Sequence, residues 1–398
     1  MPSGHFRSYI EHYFAPHPSR QVKELFASRV ILDFATGAVM LFEPIYLHSI
    51  GFSIVQILLF YAALYVVYFA LLPLGGKICR RHGYEHTILF SSPFLIIWYL
   101  SFFAIPYHPA FIAVAILSLA IQKILYWPGY HANFATWSVQ NEEGREISTM
   151  SALAGFAAVL APAFGGFLIV TAGYKALFIV VSVLILISNV PLLRTPELYM
   201  PQKFPYVPAM RRLLKKENRG RLIGYMGFGE ELLALVAWPV FLALMVPDAA
   251  ALGVIVSFAM LANIAATLYV GRMSDGDDKT AVLRSGAVYT AASWLVRVFV
   301  TGGFGVFLID SFYRIAKNMV NVPLLAMVYD DARRGEVMDA VVFFEMALSL
   351  GKILAALLAA AALSLWPGSW TAVFVIGAIF TLLFSAVRRR EASSPKMP

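Results

Sequence analysis

The chain has 398 residues, of which 60% are apolar and only 14% are charged, and its formal net charge is +8. Soluble domains average about 45–50% apolar and about 25% charged residues, so a soluble enzyme, a nucleic-acid binder and a disordered protein are excluded. A single cysteine, Cys79, excludes a disulfide framework and a cysteine-rich metal site. The composition therefore predicts an integral membrane protein.

Apolar runs long enough to cross a membrane recur along the whole chain. A helix needs about 20 mainly apolar residues to cross the hydrocarbon layer. The runs are continuous rather than alternating, which predicts helices and not a β-barrel. Six lie in the first half of the chain and six in the second: 25–50, 54–74, 87–106, 109–137, 148–170, 176–193, 222–246, 250–270, 281–300, 304–327, 337–365 and 370–387.

The basic residues predict which side each loop faces. With both ends of the chain on the inner side, Lys175 is the only basic residue in an outer loop. Lysine and arginine are retained on the cytoplasmic side during insertion. We therefore expect an all-α protein with twelve transmembrane helices and cytoplasmic termini, located in the cell inner (plasma) membrane.

The runs divide the chain into five predicted parts. Two of them are six-helix bundles, and the other three are cytoplasmic. The parts are an N-terminal segment with a short interfacial helix (1–24), the first bundle (25–194), a linker with a basic amphipathic helix (195–221), the second bundle (222–387) and a tail (388–398).

Three residue pairs recur at one separation and indicate an internal repeat. Each pair is 195 residues apart: Pro44 and Pro239, Pro128 and Pro323, and the loop glycines Gly76 and Gly271. The matching positions predict two pseudo-symmetric bundles with helix kinks at the same places, and Pro162 predicts a further kink in the fifth run.

With this repeat, the loop sequences resemble the major facilitator superfamily. Its loop signature is Gly-x-x-x-Asp-Arg/Lys-x-Gly-Arg/Lys. The sequence echoes that signature after the second run at Gly76, Arg80, Arg81 and Gly83, and after the eighth run at Gly271 and Asp275. In the first copy Arg80 occupies the acidic place.

Two further stretches carry the resemblance. Glu142, Glu143 and Arg145 look like the superfamily's loop between the fourth and fifth helices. The fifth run is similar to the glycine-proline motif of the family's antiporters at Gly155, Pro162, Gly165 and Gly166. The resemblance implies two six-helix halves that rock around a central site. We expect an inner latch in which Arg80 or Arg81 pairs with Glu142 or Glu143, and the alternative is a plain cytoplasmic anchor.

Ionisable residues lie well inside five of the predicted segments. Each charge facing lipid would cost about 2.5–3.5 kcal/mol, so they must face one another or a watery cavity. They lie on the first, fourth, seventh, tenth and eleventh runs: Asp33, Glu43, Lys123, Glu230, Glu231, Asp310, Arg314, Lys317, Glu345 and Lys352. The resemblance implies that four of these helices line the central path and the eleventh flanks it. Arg297, on the ninth run, is expected to snorkel to the outer surface.

Helical spacing groups the polar side chains into faces. Asp310, Arg314, Lys317 and Asn321 share one face, as do Lys123, Trp127 and Tyr130. From these faces we predict a substrate cavity lined by Lys123, Trp127, Tyr130, Arg314, Lys317, Asn321 and Lys352. Three alternatives remain: ion pairs within helices (Asp310–Arg314 and Arg29–Asp33), ordinary aromatic packing, and a packed neutral imidazole for His131.

The energy source is predicted to be an ion gradient, because the chain has no Walker loop. A carboxyl group in apolar surroundings can take up and release a proton near neutral pH. We expect this role first for Asp33, because the family's efflux pumps often use an acid on the first helix. The other candidates are Glu230, Glu231, Glu345, Asp310 and Glu43.

The sequence therefore predicts a monomeric secondary transporter that moves a small charged or zwitterionic organic solute by alternating access, with proton coupling. We expect no enzyme activity, cofactor or metal, since metal-ligand spacing and a Gly-x-Ser-x-Gly motif are missing from the sequence. Lipid is the expected surrounding partner. The alternatives are a multidrug/proton antiporter, a lipid or lysolipid flippase, and a non-transporting receptor or scaffold.

Overall fold

The computed structural model describes residues 20–137, 143–193, 204–274, 279–333 and 336–387. Within these ranges the regular structure is helical. The helices are α1 Arg20–Met40, α2 Phe42–Ser49, α3 Ile54–His82, α4 Tyr84–Ala104, α5 Ala110–Trp137, α6 Glu143–Ser188, α7 Tyr206–Leu214, α8 Arg219–Met226, α9 Gly229–Leu235, α10 Ala237–Met245, α11 Ala249–Ser274, α12 Lys279–Val296, α13 Gly302–Arg333, α14 Val337–Leu365 and α15 Trp370–Leu383.

Helix occupies every apolar run, which confirms the all-helical membrane fold. Seven described stretches are long and apolar enough to cross a membrane, and two shorter apolar helices accompany them. The count of twelve crossings and the cytoplasmic position of the ends stay predictions. The predicted interfacial helix in 1–24 and the tail 388–398 lie almost wholly outside the described residues. Below, 20–193 is the first half and 219–387 the second.

Helix breaks occur at matching places in the two halves. The first break, at Leu41 between α1 and α2, precedes Pro44 by three residues, and the second, at Val236 between α9 and α10, precedes Pro239 by three. Proline lacks an N–H and clashes with the carbonyl four residues earlier, which explains both breaks. By contrast, the helices continue without a break through the other three predicted kink sites, Pro128, Pro162 and Pro323.

Glycine separates the fifth and sixth predicted segments, which run on as the two arms of α6. Gly173 joins the arms with a φ of 81°, a conformation that glycine adopts without steric cost. Gly83, with a φ of 94°, likewise separates α3 from α4. At both glycines one helical stretch follows the other without a connecting loop.

The halves meet along a close seam between α6 and α11. A Cβ added to Gly166 would lie 2.2 Å from the carbonyl oxygen of Ala249, and one added to Gly253 would lie 2.3 Å from that of Pro162. The Ala163 N–H also donates to Ser257 Oγ at 3.1 Å. Part of the antiporter-like motif therefore packs one half against the other. Further contacts join α3 to α14 and α2 to α10.

We expect Gly253→Ala to destabilise the protein, because the new methyl group would collide with backbone at the seam. Overpacking of this kind costs about 1–3 kcal/mol. The matched control is Gly220→Ala, since a Cβ at Gly220 would meet nothing nearer than 3.4 Å. Thermal unfolding of the purified variants should show a midpoint lowered by several degrees for Gly253→Ala only. Equal midpoints for both variants would show that the seam is looser than described.

Candidate functional site

Two lysines from opposite halves approach the same tyrosine ring. Lys352 Nζ pairs with Glu231 Oε2 at 2.7 Å and donates to Tyr65 Oη at 3.3 Å. Its distance from the centre of the Tyr65 ring is 5.1 Å, and Lys123 Nζ lies 5.5 Å from that centre. We call Tyr65, Lys123, Glu231 and Lys352 the central cluster. It contains two positive charges and one negative charge.

Lys123 is the lysine of this cluster that has no ion-pair partner. It forms no ion pair with any residue that the structure describes, and its second aromatic neighbour is Trp127, at 5.9 Å. The side chain is half-buried rather than sealed off. An ammonium group in apolar surroundings is costly unless an anion or water compensates it. Lys123 is therefore positioned to receive an anionic group.

The aromatic face of α5 already packs on an arginine. Arg29 pairs with Asp33 at 2.7 Å and donates from Nη1 to Tyr126 Oη at 3.0 Å. Its guanidinium carbon lies 4.9 Å from the Tyr130 ring and 5.4 Å from the Trp127 ring. The spacing predicts Trp127 and Tyr130 as substrate contacts, but in the structure both rings pack against Arg29 of the Arg29–Asp33 pair.

Glu230 is the centre of a polar cluster inside the second half. Its side chain is fully buried and forms an ion pair with Lys317. Its Oε2 also accepts from Trp294 Nε1 at 2.9 Å and from Tyr313 Oη at 3.0 Å. Lys317 is buried as well, so this lysine has little surface left for a substrate.

The other polar residues of the α13 face are an ion pair, Asp310 with Arg314, and the amide of Asn321. Asp310 pairs with Arg314 at 2.7 Å, as the spacing of four predicts, and accepts from Trp238 Nε1 at 3.3 Å. Asn321 has a buried carbonyl oxygen for which the described residues offer no donor. Arg314 retains 25% exposure, so it is the more accessible cation of this face.

Arg297 corrects the sequence prediction, because it does not snorkel. Its side chain is fully buried, and its guanidinium carbon lies 3.7 Å from the ring centre of Trp294, 4.2 Å from that of Trp238 and 4.6 Å from that of Tyr313. None of its three side-chain nitrogens has a hydrogen-bond partner among the described residues. The cation–π contacts hold the side chain back against the bundle.

A hydrogen-bonded chain links the halves through His131. Tyr68 Oη donates to Glu345 Oε2 at 2.8 Å, and the other carboxylate oxygen lies 3.2 Å from His131 Nε2. His131 Nδ1 shares a 2.8 Å hydrogen bond with Tyr329 Oη. We call Tyr68, Glu345, His131 and Tyr329 the interhalf chain. Sequence reasoning missed it, although His131 lies within the fourth predicted segment.

Glu43 occupies a separate pocket in the first half. Its carboxyl group is buried and accepts from Tyr61 Oη at 3.1 Å, with Trp98 and Tyr99 as further hydrogen-bond partners. It forms no ion pair within the described ranges. The hydrogen-bond donors of Glu43 are thus neutral, unlike the partners of Asp33 and Glu345, and Lys123 is the cation that acts on it electrostatically.

Arg80 connects the halves on the side predicted to be cytoplasmic. Its Nη1 donates to Glu336 at 3.0 Å, so the acidic partner comes from the start of α14. Gly76 packs close to Val342 and Phe204, while Arg81 is exposed. The two expected partners of Arg80 lie outside what the structure describes, Glu142 entirely and Glu143 in its side chain. The same holds for three other residues of the loop motifs: Asp275 entirely, the side chain of Arg145, and the surroundings of Gly271.

Comparisons with known proteins agree with this architecture. The Major Facilitator Superfamily model matches residues 25–206. The chain is similar to the solved fucose:proton symporter of E. coli, with 14% identity, a TM-score of 0.66 and coverage of 92% of this chain and 96% of that chain. It is similar to a D-xylose-proton symporter, with 15% identity, a TM-score of 0.67 and the same coverage. No curated protein matches the sequence. The resemblance indicated by the loop motifs is confirmed.

Proposed function

We propose that this chain, whose fold is that of the major facilitator superfamily, is a proton-coupled secondary transporter of a small organic anion or zwitterion. The observation that carries the proposal is the central cluster. Lys123 and Lys352 come from opposite halves and approach one ring, and Lys352 has an ion-pair partner in Glu231 whereas Lys123 has none among the described residues. A substrate carboxylate or phosphate would supply the missing negative charge.

The position of the two lysines suggests how substrate promotes closure. Without an anion, bringing the halves together forces two ammonium groups toward each other in surroundings of low dielectric constant. A bound anion changes that repulsion into attraction to both halves. The occupied carrier therefore closes around its substrate and reopens on the other side, as alternating access requires.

The interhalf chain supports a site for the coupled proton at Glu345. A charged Glu345 accepts from Tyr68 and contacts His131, and both partners belong to the first half. Adding a proton removes the charge that holds these partners, so the halves separate more easily there. The names of the two similar symporters support proton coupling in general. Asp33 is the weaker candidate because it pairs with a permanently charged arginine.

The contacts favour this function over multidrug/proton antiport. A polyspecific pocket for organic cations needs free aromatic surface and unpaired carboxylates. Here Trp127 and Tyr130 pack on Arg29, and Glu230 and Glu231 are each paired with a lysine. Glu43 forms no ion pair within the described residues but is buried against Tyr61. The uncompensated charge of the central cluster is positive, which repels a cationic drug.

The proposal is tested by thermal-shift titration of the purified protein with organic anions, amino acids and bulky organic cations. We expect anions to stabilise it and Lys123→Gln to weaken that binding by about tenfold or more, since a charge-assisted hydrogen bond contributes about 1.5–3 kcal/mol. Lys175→Gln is the control, because Lys175 is exposed just after the Gly173 turn of α6, where it donates to Tyr107. Stabilisation by cations alone, or equal effects of the two substitutions, would contradict the proposal.

A further inference from the structure

A cavity of about 760 Å³ lies where the linker helix α7 crosses the two halves. Its basic lining residues are Arg80, Arg211, Arg212, Lys215 and Arg221. Its acidic lining residues are Glu217, Glu336 and Asp339. Five positive charges line the cavity against three negative ones, and a fourth acid outside the lining, Asp331, pairs with Arg221 at 2.8 Å. One positive charge remains in excess, which suits an anion.

The walls of this cavity come from both halves and from the linker. Tyr206 Oη in α7 donates to the Ala70 carbonyl of α3 at 2.7 Å, which fixes the linker helix to the first half. Arg212 Nη1 pairs with Asp339 at 2.7 Å, which fixes it to the second half. Arg80 and Glu336 bridge the halves directly across one side. A ligand in this cavity would touch every element that joins the halves here.

Several cationic groups in the cavity have unused capacity. Arg80 is about nine-tenths buried, and its Nε has no hydrogen-bond partner among the described residues. Arg211 is exposed and forms no ion pair within the described ranges. The pair of Lys215 with Glu217 is long, at 3.8 Å, and both side chains are more than half exposed. Such surface pairs contribute little and exchange readily for a stronger anion.

We infer that this cavity binds a phosphate-bearing anion, either a phospholipid headgroup or a free phosphate compound. Guanidinium groups bind phosphate oxygens through paired, planar N–H donors. Beside Arg80 the space is lined by Arg211, which forms no ion pair within the described ranges, and by Arg212 and Arg221, which pair with Asp339 and Asp331. The volume exceeds that of one phosphate group, so part of the attached molecule fits as well. Binding here does not depend on which solute the central cluster carries.

The anion should compete with Glu336 for Arg80. Both are negative, and the cavity places them near the same guanidinium. A bound anion would therefore replace the direct Arg80–Glu336 ion pair between the halves. The halves would then be joined through the anion and the linker helix α7. This competition predicts opposite effects on anion binding. Removing the Glu336 charge should tighten binding, and removing the Arg211 charge should weaken it.

The test uses the full chain, with two probes. Inorganic pyrophosphate is titrated by calorimetry into detergent-purified protein. Separately, melting midpoints are compared in phosphatidylcholine nanodiscs with and without phosphatidylglycerol. We expect Arg211→Gln to weaken binding about fivefold and Glu336→Gln to tighten it about threefold. The control is Lys216→Gln, an exposed lysine of the same segment that does not line the cavity, and it should change binding by less than twofold.

The two probes separate the sources of the phosphate group. A response to phosphatidylglycerol alone assigns the cavity to a lipid headgroup, and binding of pyrophosphate in detergent assigns it to a soluble compound. Either result supports the site when the variants follow the expected order. The inference is overturned if neither probe acts on the wild-type protein, if Lys216→Gln weakens binding as much as Arg211→Gln, or if Glu336→Gln fails to tighten it. None of these measurements depends on transport.

Discussion

Replacing Glu345 by glutamine is expected to abolish proton-driven accumulation of substrate while leaving exchange of internal for external substrate intact. Glutamine has the size of glutamate and can still accept from Tyr68, so the interhalf chain keeps its packing. It cannot release and rebind a proton. The carrier would then stay in a state resembling the protonated one, which still moves substrate across the membrane but no longer couples that movement to a proton gradient.

The measurement uses proteoliposomes in two modes. An imposed pH gradient reports accumulation, and counterflow without a gradient reports exchange. Asp33→Asn, the first candidate from the sequence, is assayed beside Glu345→Gln, with the exposed Glu217→Gln as control. Accumulation at the wild-type level in Glu345→Gln would exclude Glu345 as the proton site. Loss in Asp33→Asn alone would restore the sequence-based assignment.

The second large effect is a loss of stability. Glu230→Gln should lower the free energy of unfolding by about 3–5 kcal/mol, because it leaves the buried Lys317 without its ion-pair partner. Lys317 Nζ then lies 4.3 Å from the Phe384 ring and 4.9 Å from the Phe228 ring with no carboxylate beside it. Losing Glu230 also removes a negative charge that acts on the buried Arg297, which increases the loss of stability. We expect a large loss of folded protein on purification.

A double substitution distinguishes lost charge balance from general damage. Glu230→Gln combined with Lys317→Met removes both charges and should recover most of the lost stability, because neighbouring sites in one ion pair are not additive. Glu217→Gln, which breaks only an exposed pair, should change the melting midpoint very little. If the double variant is less stable than Glu230→Gln alone, the pair is not the source of the effect.

Much of the fold follows from regularities that act within one helix. The helices could be predicted from the length of the apolar runs. The matching breaks near Pro44 and Pro239 could be predicted because proline lacks a backbone N–H. The pairs Arg29–Asp33 and Asp310–Arg314 follow from a spacing of four. These contacts need no knowledge of how helices are arranged.

Contacts between helices were not predictable in the same way. Glu230 and Glu231 are adjacent, so they point about 100° apart around the helix, and one meets Lys317 while the other meets Lys352. Which lysine each one meets depends on the packing of α13 and α14. His131 and Glu345 lie more than 200 positions apart, and no local pattern joins them.

Arg297 shows why the distance from a helix end is a weak guide to exposure. The sequence places it near the end of the ninth run, where a long side chain usually reaches water. In the structure α12 ends at Val296, and the next residues form a short turn that keeps the guanidinium among Trp238, Trp294 and Tyr313. Those rings come from three different helices, so only the assembled fold creates the cage.

The most direct test of anion transport through the central cluster is uptake of labelled organic anions by proteoliposomes under an inward proton gradient. We expect at least one small carboxylate or phosphate ester to accumulate, a protonophore to abolish this accumulation, and Lys123→Gln to reduce it by at least tenfold relative to Lys175→Gln. Accumulation of organic cations alone, or of anions equally well in both variants, would contradict a substrate site between Lys123 and Lys352.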